Sequence, residues 1–250
     1  MNNEFIDSKK PKFYGRQHGR KLRKTRTTLV EDFLPKIAIT LPEDENEKID
    51  VASLFPFTPK ETWLEVGFGG GEHLAGQAKK NPDTAIIGSE VFINGVASLL
   101  AHITGHHEDG NLSDEEITIT DDRNDNIRIY NKDVRQLFPH IADETFDRIF
   151  VLFPDPWPKF KHKNRRFIGP DNLPELARML KKGGVLRVAT DHKVYKGWAL
   201  KQLGKDNNFK WTAKSSNDWR NEPSDWVRTR YQEKAIREGR KAVWLDFEKI

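Results

Sequence analysis

An apolar run leads into three prolines within five residues in the stretch Phe150-Val151-Leu152-Phe153-Pro154-Asp155-Pro156-Trp157-Pro158-Lys159. The run starts at Ile149 and has the length and composition of a short buried strand. Neither a strand nor a helix continues through the prolines, because proline has a fixed φ angle and no amide hydrogen. Asp155 and Trp157 are therefore fixed in a stiff bend at a strand's carboxyl end, where ligand sites of open α/β sheets lie.

Charge is unevenly distributed along the chain, although the net charge is only +4. A basic cluster follows the bend directly, and nine Lys or Arg residues without an acid lie between Lys9 and Arg26. By contrast, residues 108–125 contain eight acids and one Arg. This segregation predicts an oriented electric field and a polyanionic partner. The alternative is that the basic runs only keep the surface solvated.

Composition excludes several classes of protein. The chain has no Cys, which rules out disulfides and thiolate zinc sites, and its eight His residues show no converging ligand set, so we expect no metal site. No apolar run approaches the roughly 18 residues of a membrane span, and the N-terminus lacks the apolar segment of a secretory signal. A cytoplasmic protein without a membrane segment is the expectation.

Strand and helix patterns alternate along most of the chain. Strands are predicted at 62–66, 84–90, 127–130, 146–153, 185–190, 209–213 and 242–248, and helices at 72–80, 91–104, 170–181 and 195–203. This alternation predicts an α/β fold, with a mostly parallel seven-stranded sheet and helices on both faces.

The chain divides into three parts by composition. Residues 1–40 are predicted to form a basic, partly disordered arm, residues 41–57 a linker with a short packed segment, and residues 58–250 the globular domain. The acidic stretch 105–126 has no clear period and is predicted to be a loop, with at most a short helix.

A glycine loop, Gly67-Phe68-Gly69-Gly70-Gly71, follows the first predicted strand. A dinucleotide fingerprint requires a third glycine at position 72, where this chain has Glu72, so a nicotinamide or flavin cofactor is disfavoured. Glu65, Glu90 and Asp133 lie at strand ends and suit a ligand with a positive centre and no phosphate, such as S-adenosylmethionine. Helix capping is the alternative reading of these acids.

Four motifs of the sequence occur together: 64–71, 153–159 with 163–167, 189–191, and 229–232. In this combination they resemble the bacterial tRNA (guanine-N7-)-methyltransferases. The resemblance covers about residues 60–250 and implies a Rossmann-like class I methyltransferase that transfers a methyl group from S-adenosylmethionine to N7 of guanosine 46 of tRNA. It also implies action without an obligate protein partner, as a monomer or homodimer.

The resemblance assigns roles to individual residues. It implies that Asp155 is catalytic. The chain departs from the family pattern in two places: residue 232 is Gln where the family commonly has Glu, and the segment 105–126 is longer than expected. The expected cofactor-binding residues are Glu65, Gly67, Gly69, Glu90, Asp133 and Asp155; the expected substrate-binding residues are Lys159, Asp191, Thr229, Arg230, Tyr231 and Gln232; the basic clusters add Arg16, Arg20, Lys161, Lys163, Arg165 and Arg166 as expected phosphate contacts.

Guanine N7 carries an in-plane lone pair, so no proton has to be removed before it attacks a methyl group. We therefore expect Asp155 to orient the base and to stabilise the developing positive charge, rather than to act as a general base. Trp157 either stacks on a base or packs beneath the proline bend.

Three other functions remain compatible with parts of the sequence. A nicotinamide-dependent oxidoreductase would share the sheet, but Glu72 and the basic clusters disfavour it. A methyltransferase for an RNA adenine or a protein would share the cofactor, but Trp157 stands where an adenine amino-methyltransferase commonly has a second proline. A non-catalytic RNA-binding protein would not be expected to retain the glycine loop and Glu90.

Overall fold

A computed structural model describes residues 13–106 and 125–250 of the chain. Most of the predicted acidic loop at 105–126 and the first 12 residues of the predicted arm lie outside the described residues. Within the described residues, no helix is both long and apolar enough to cross a membrane.

Seven strands form one mixed sheet in the order β3-β2-β1-β4-β5-β7-β6. The first five strands are parallel, and β7 runs antiparallel to both β5 and β6. The predicted mostly parallel seven-stranded sheet is thus confirmed. The strands are β1 (Glu61–Val66), β2 (Thr84–Ser89), β3 (Ile127–Tyr130), β4 (Phe146–Leu152), β5 (Leu180–Thr190), β6 (Phe209–Trp211) and β7 (Val243–Lys249).

Helices cover both faces of the sheet. One face packs against α5 and α6, and the other packs against α2, α3, α4 and the segment 29–33, which gives two separate apolar clusters. The helices are α1 (Lys24–Thr28), α2 (Leu34–Ile37), α3 (Glu72–Lys80), α4 (Ile93–Thr104), α5 (Leu173–Met179), α6 (Lys193–Leu203), α7 (Asn217–Arg220) and α8 (Arg230–Arg237), with a π-helical turn, Leu29–Phe33, between α1 and α2.

Part of the segment that was grouped with the basic arm belongs to the core. Leu29 and Phe33 are each 1% exposed and pack with α4, while the amide of Ile39 donates to the carbonyl of Ile129 in β3 at 2.8 Å. Leu29, Phe33 and Ile37 are spaced four residues apart, a sequence pattern that predicts a helix with one buried face. The division of the chain at residue 40 stays a prediction.

The loop before α8 is tied to the sheet by a network of charges centred on Asp225. Arg187 of β5, whose side chain is 8% exposed, donates to Asp225 at 2.8 Å and to both oxygens of Asp246 at 2.8 Å. Arg148 of β4 donates to the second oxygen of Asp225 at 2.8 Å. Burial acts to raise the pKa of Asp225, but hydrogen bonds from Arg187 and Arg148 outweigh it and hold that pKa below its ordinary value.

Replacing Asp225 with Asn is expected to lower the free energy of unfolding at pH 7 by roughly 1–2 kcal/mol, less than for a fully buried pair because Asp225 is 37% exposed. Because its pKa is lower in the folded chain, the stabilising effect is complete above the ordinary pKa of 3.8 and disappears as the pH falls through the lowered value. Denaturant titrations of both proteins at pH 7 and below pH 4 measure this difference.

Asp83→Asn is the matched control, since Asp83 pairs with Lys60 on the surface, where both side chains are more than half exposed. Its effect should stay within about 0.5 kcal/mol. Equal unfolding free energies for wild type and Asp225→Asn at neutral pH would show that the network does not stabilise the fold.

Candidate functional site

A cavity of about 540 Å³ opens at the carboxyl ends of β1, β2 and β4. Because these strands are parallel, the loops that follow them meet at one edge of the sheet. Segments 13–16 and 163–172 close the cavity from outside. Of the residues predicted from sequence, those that line it are Gly67, Gly69, Glu90, Asp133, Asp155, Tyr231, Arg16, Lys163, Arg165 and Arg166.

The glycine loop requires glycine at positions that face the cavity. Gly67 and Gly69 have φ angles of +64° and +59°, in the left-handed region that disfavours larger residues. A Cβ atom on Gly69 would also come within 2.8 Å of the Tyr231 ring. The loop therefore leaves its backbone accessible to a ligand.

Glu90 is held at the end of β2 by two backbone amides. Its Oε2 accepts from the amide of Gly69 and its Oε1 from the amide of Phe92, both at 2.8 Å. Burial raises the pKa of Glu90 above its ordinary value, although these amides act in the opposite direction. The amide of Val91 also acts on this carboxylate, which has about four acceptor positions, so at least one further hydrogen bond from a ligand can be accepted.

Asp133 follows β3 and is 8% exposed. The guanidinium of Arg135 donates to it at 2.5 Å, and the amide of Arg135 donates at 3.1 Å. The carboxylate of Asp133 is thus oriented and partly neutralised before any ligand arrives.

The proline bend carries Asp155 into the cavity on an unfavourable backbone. Phe153 and Trp157, on either side of Asp155, have φ angles of +48° and +39°. Such left-handed backbone at bulky residues costs about 1–3 kcal/mol each and persists only where its surroundings fix it. The amide of Phe153 donates to the carbonyl of Ala189 at 2.8 Å, which anchors the start of the bend to β5.

Arg166 anchors the other end of the bend. Its Nη2 donates to the carbonyl of Trp157 at 2.9 Å, and its Nε donates to the carbonyl of Pro156 at 3.1 Å. The side chain is buried, and its guanidinium lies 4.7 Å from the centre of the Trp198 ring. The sequence predicts that Arg166 contacts phosphate, whereas in the structure its guanidinium is engaged by the carbonyls of the bend.

Glu65 does not line the cavity. It is 2% exposed and is hydrogen-bonded to His73 Nδ1 at 2.7 Å, on the face of the sheet that α3 covers. His73 in turn lies 3.2 Å from the amide nitrogen of Gln77. Successive side chains of a strand point to opposite faces, so Glu65 shares its face with Trp63, whereas the next residue, Val66, points to the other face and lines the cavity.

Most of the predicted segment 229–232 supports α8 rather than facing the cavity. Thr229 caps the helix and accepts from the amide of Gln232 at 3.2 Å, while Arg230 pairs with Glu72 and donates to Ser98 at 2.8 Å. Tyr231 is the member of this segment that lines the cavity.

Gln232 lies 2% exposed between two partners. Its carbonyl oxygen accepts from the indole of Trp226 at 2.6 Å, and its amide donates to Glu222 at 2.8 Å. A carboxylate here would face the carboxylate of Glu222, which gives a physical reason for the amide in this chain.

The remaining predicted contacts do not line the cavity. Asp191 at the end of β5 pairs with Arg240 at 3.2 Å. Lys159 and Lys161, close in sequence to the cavity-lining Lys163, are exposed. Arg20 is also exposed, and its carbonyl accepts from Asn94. The exposed lysines form a cationic surface that joins the mouth of the cavity.

Sequence reasoning missed that the basic arm forms part of the cavity wall. Phe13, Tyr14 and Gly15 line it with Arg16, and nothing in their basic surroundings indicated a wall. Among the described residues, no group of three or more His, Asp or Glu side chains is arranged to hold a metal ion.

Arg166→Met should loosen the bend, because it removes both donors while keeping most of the side chain's bulk. Two carbonyls in a half-buried bend lose their partner, so the free energy of unfolding should fall by about 1–3 kcal/mol. Hydrogen exchange measured by mass spectrometry should also be faster in residues 153–167 than in the wild type. Lys161→Met, an exposed neighbour, is the control, and unchanged exchange in the Arg166 variant would contradict the assigned role.

Comparison with known proteins gives the family. A family model described as "Putative methyltransferase" matches residues 59–245. The chain is 45% identical over 239 residues to a tRNA (guanine-N(7)-)-methyltransferase of Rhodospirillum rubrum, with 94% of this chain and 87% of the relative covered. It is 44% identical to one of Paramagnetospirillum magneticum, with 92% and 89% covered.

The fold also matches a solved structure. The crystal structure of the 16S rRNA methyltransferase KamB superposes with a TM-score of 0.51 and 13% identity over 82% of this chain and 95% of that one. This likeness shows that the sheet and helices have the arrangement of a class I methyltransferase. The identities to the curated relatives go further, and the chain belongs to the tRNA (guanine-N(7)-)-methyltransferase family.

Proposed function

We propose that this protein transfers a methyl group from S-adenosylmethionine to N7 of a guanosine in tRNA, at position 46. The observation that carries the proposal is the placement of Glu90, Asp133 and Asp155 around one cavity with a glycine loop. The relatives' names supply the acceptor, and the basic surface beside the cavity supplies a place for the polyanion. The assignment of the methylated guanosine to position 46 rests on the resemblance of the sequence motifs.

The residues present fit S-adenosylmethionine, which when bound supplies a methyl group on a positively charged sulfur. Glu90 would accept a hydrogen bond from the ribose hydroxyls, since its carboxylate lies beside the glycine loop and keeps acceptor capacity. Asp133 would hold the adenine amino group with the acceptor capacity that Arg135 leaves free. Gly67 and Gly69 allow the backbone to lie against the ligand.

Asp155 is available to the acceptor base. It is exposed to the cavity, and no described residue forms a hydrogen bond or ion pair with its carboxylate. A carboxylate in this position can accept from N1–H and the exocyclic amine of guanine, which directs N7 toward the methyl group. Its charge also stabilises the positive charge that develops on the purine.

The cationic surface would hold the tRNA backbone. Lys159 and Lys161 are exposed and Lys163 lines the cavity, so these lysines can neutralise the phosphates that flank the target guanosine. Arg16, Arg20 and Arg165 extend this surface as proposed phosphate contacts, whereas Arg166 is used by the bend. Action in the cytoplasm, as a monomer or homodimer without an obligate partner, stays a prediction.

Incubating the protein with labelled S-adenosylmethionine and tRNA from a strain that lacks 7-methylguanosine, followed by nucleoside analysis, tests the proposal. We expect 7-methylguanosine in the wild type and about a 100-fold or greater loss of rate in Asp155→Ala, with an intermediate loss in Asp155→Asn, which keeps the shape but not the charge. Asp143→Asn, at an exposed Asp that does not line the cavity, is the control.

Each other outcome of that assay has a definite meaning. A different methylated nucleoside would keep the fold and cofactor but overturn the acceptor. An Asp155→Asn variant as fast as the wild type would remove the electrostatic role. No transfer to tRNA, with S-adenosylmethionine still bound, would contradict the proposed function.

The affinity for S-adenosylmethionine should depend on pH through Glu90. The ionised form accepts ribose hydroxyl hydrogen bonds best, and the pKa of Glu90 is raised by burial. The dissociation constant should therefore rise as the pH falls through that raised value, at a higher pH than an exposed Glu would cause. Calorimetric titration over pH 4–8 measures this, with Glu90→Gln expected to bind more weakly at pH 8 and to lose that step; a step that persists in the variant would assign it to another group.

A further inference from the structure

The turn that follows the proline bend exposes an aromatic ring among cations. Phe160 is 76% exposed, more than any other large hydrophobic side chain among the described residues. It begins a 3₁₀-helical turn, Phe160–Arg165, and residues 163–165 of that turn line the cavity that contains Asp155. The ring therefore lies just outside the cavity, and it belongs to neither apolar cluster of the core.

Lys163 covers one face of the Phe160 ring. Side chains three residues apart in a 3₁₀ helix lie one above the other. Accordingly, the ammonium nitrogen of Lys163 is 4.5 Å from the ring centre. Because the ring is 76% exposed although a cation covers one face, its opposite face is open to solvent. An open aromatic face is a surface on which a planar base can stack.

Positive charge surrounds this ring. Residues 156–170 contain five Lys or Arg residues and no acid. Lys159 and Lys161, on either side of Phe160, are exposed, and no carboxylate of the described residues forms an ion pair with them. An exposed ring between unneutralised cations fits single-stranded RNA, which presents planar bases on a chain of phosphates, better than it fits the apolar surface of a protein partner.

Methylation at N7 requires the target guanine to leave its stack. In A-form RNA this atom lies in a deep, narrow major groove that side chains cannot read. A guanine that reaches Asp155 inside the cavity is therefore splayed out, and a neighbouring base loses its stacking partner just outside the cavity. An exposed aromatic ring at that place can replace the lost partner.

On the basis of the proposed function, we propose that Phe160 is a stacking platform for an unpaired tRNA base in a nucleotide that flanks the methylated guanosine. Lys163 orients the ring from one face, the base stacks on the other face, and Lys159 and Lys161 hold the phosphates on either side. Phe160 binds the substrate without touching the reacting atoms, so it contributes to the affinity for tRNA and not to the methyl-transfer step.

Equilibrium binding of tRNA and steady-state methyl transfer test this role. Phe160→Ala should raise the dissociation constant and the KM for tRNA about tenfold, within the range for loss of one stacked base, and should leave kcat within about twofold. Phe160→Trp keeps an aromatic face and should bind tRNA as tightly as the wild type. Because Phe160 is outside the core, the thermal unfolding midpoint of both variants should match that of the wild type.

Ile250→Ala is the matched control. Ile250 is 52% exposed and follows β7, which runs antiparallel to β5, so it lies at the opposite edge of the sheet from the cavity. Its substitution should leave tRNA binding unchanged.

The salt dependence of binding separates stacking from charge. Phe160→Ala should leave the slope of log affinity against log salt concentration unchanged, because no phosphate contact is removed. Lys161→Met should reduce that slope by about one. A slope that falls in Phe160→Ala as it does in Lys161→Met would contradict stacking.

A cycle with abasic tRNAs identifies the stacked base. Each tRNA lacks the base of one nucleotide that flanks the target, and dissociation constants are measured with wild type and Phe160→Ala. One abasic position should weaken binding to the wild type about as much as Phe160→Ala does, and should add little further in that variant. Tight binding by Phe160→Ala, within twofold of the wild type, or losses that add at every position, would overturn the proposal. A wild type that shows this binding pattern but transfers no methyl group would instead overturn the proposed function and not the stacking contact.

Discussion

The hydrogen bonds from Arg166 to the carbonyls of Pro156 and Trp157 hold a backbone that is unfavourable by itself. The bend places Asp155 in the cavity only while Phe153 and Trp157 keep their left-handed φ angles. Pairing of β4 between β1 and β5 fixes where the bend begins, and Arg166 fixes where it ends. The positions of Asp155 and Trp157 in the cavity wall therefore depend on this support.

The site separates side chains that face the cavity from side chains that hold the surrounding fold. Glu90, Asp133 and Asp155 face the cavity, each on a different strand end, so their distances are set by the spacing of the sheet. Behind them, Thr229, Gln232 and Glu65 are buried in hydrogen-bonded positions of the fold. The sequence motifs contain both kinds of residue, because the side chains that face the cavity keep their positions only when buried side chains behind them hold the backbone.

Much of the fold and some of the site could be predicted from the sequence, for identifiable physical reasons. Buried strands read as apolar runs, and proline and glycine mark where they end, so the sheet and the position of Asp155 follow from local chemistry. The direction of Glu65 could not be predicted, because shifting a strand residue by one position reverses the face it points to. The role of Arg166 depends on carbonyls nine and ten residues away, and the placement of the arm depends on hydrogen bonds of Gly19 and Arg20 with Asn94, far along the chain.

The most direct measurement is a crystal structure of the protein with S-adenosylhomocysteine, which occupies the cofactor position without its methyl group. The account predicts the ribose hydroxyls on Glu90, the adenine amino group near Asp133, and the sulfur directed toward Asp155 across the cavity mouth. A ligand bound elsewhere, or one whose sulfur is directed away from Asp155 with the bend unchanged, would contradict the arrangement of the active site described above.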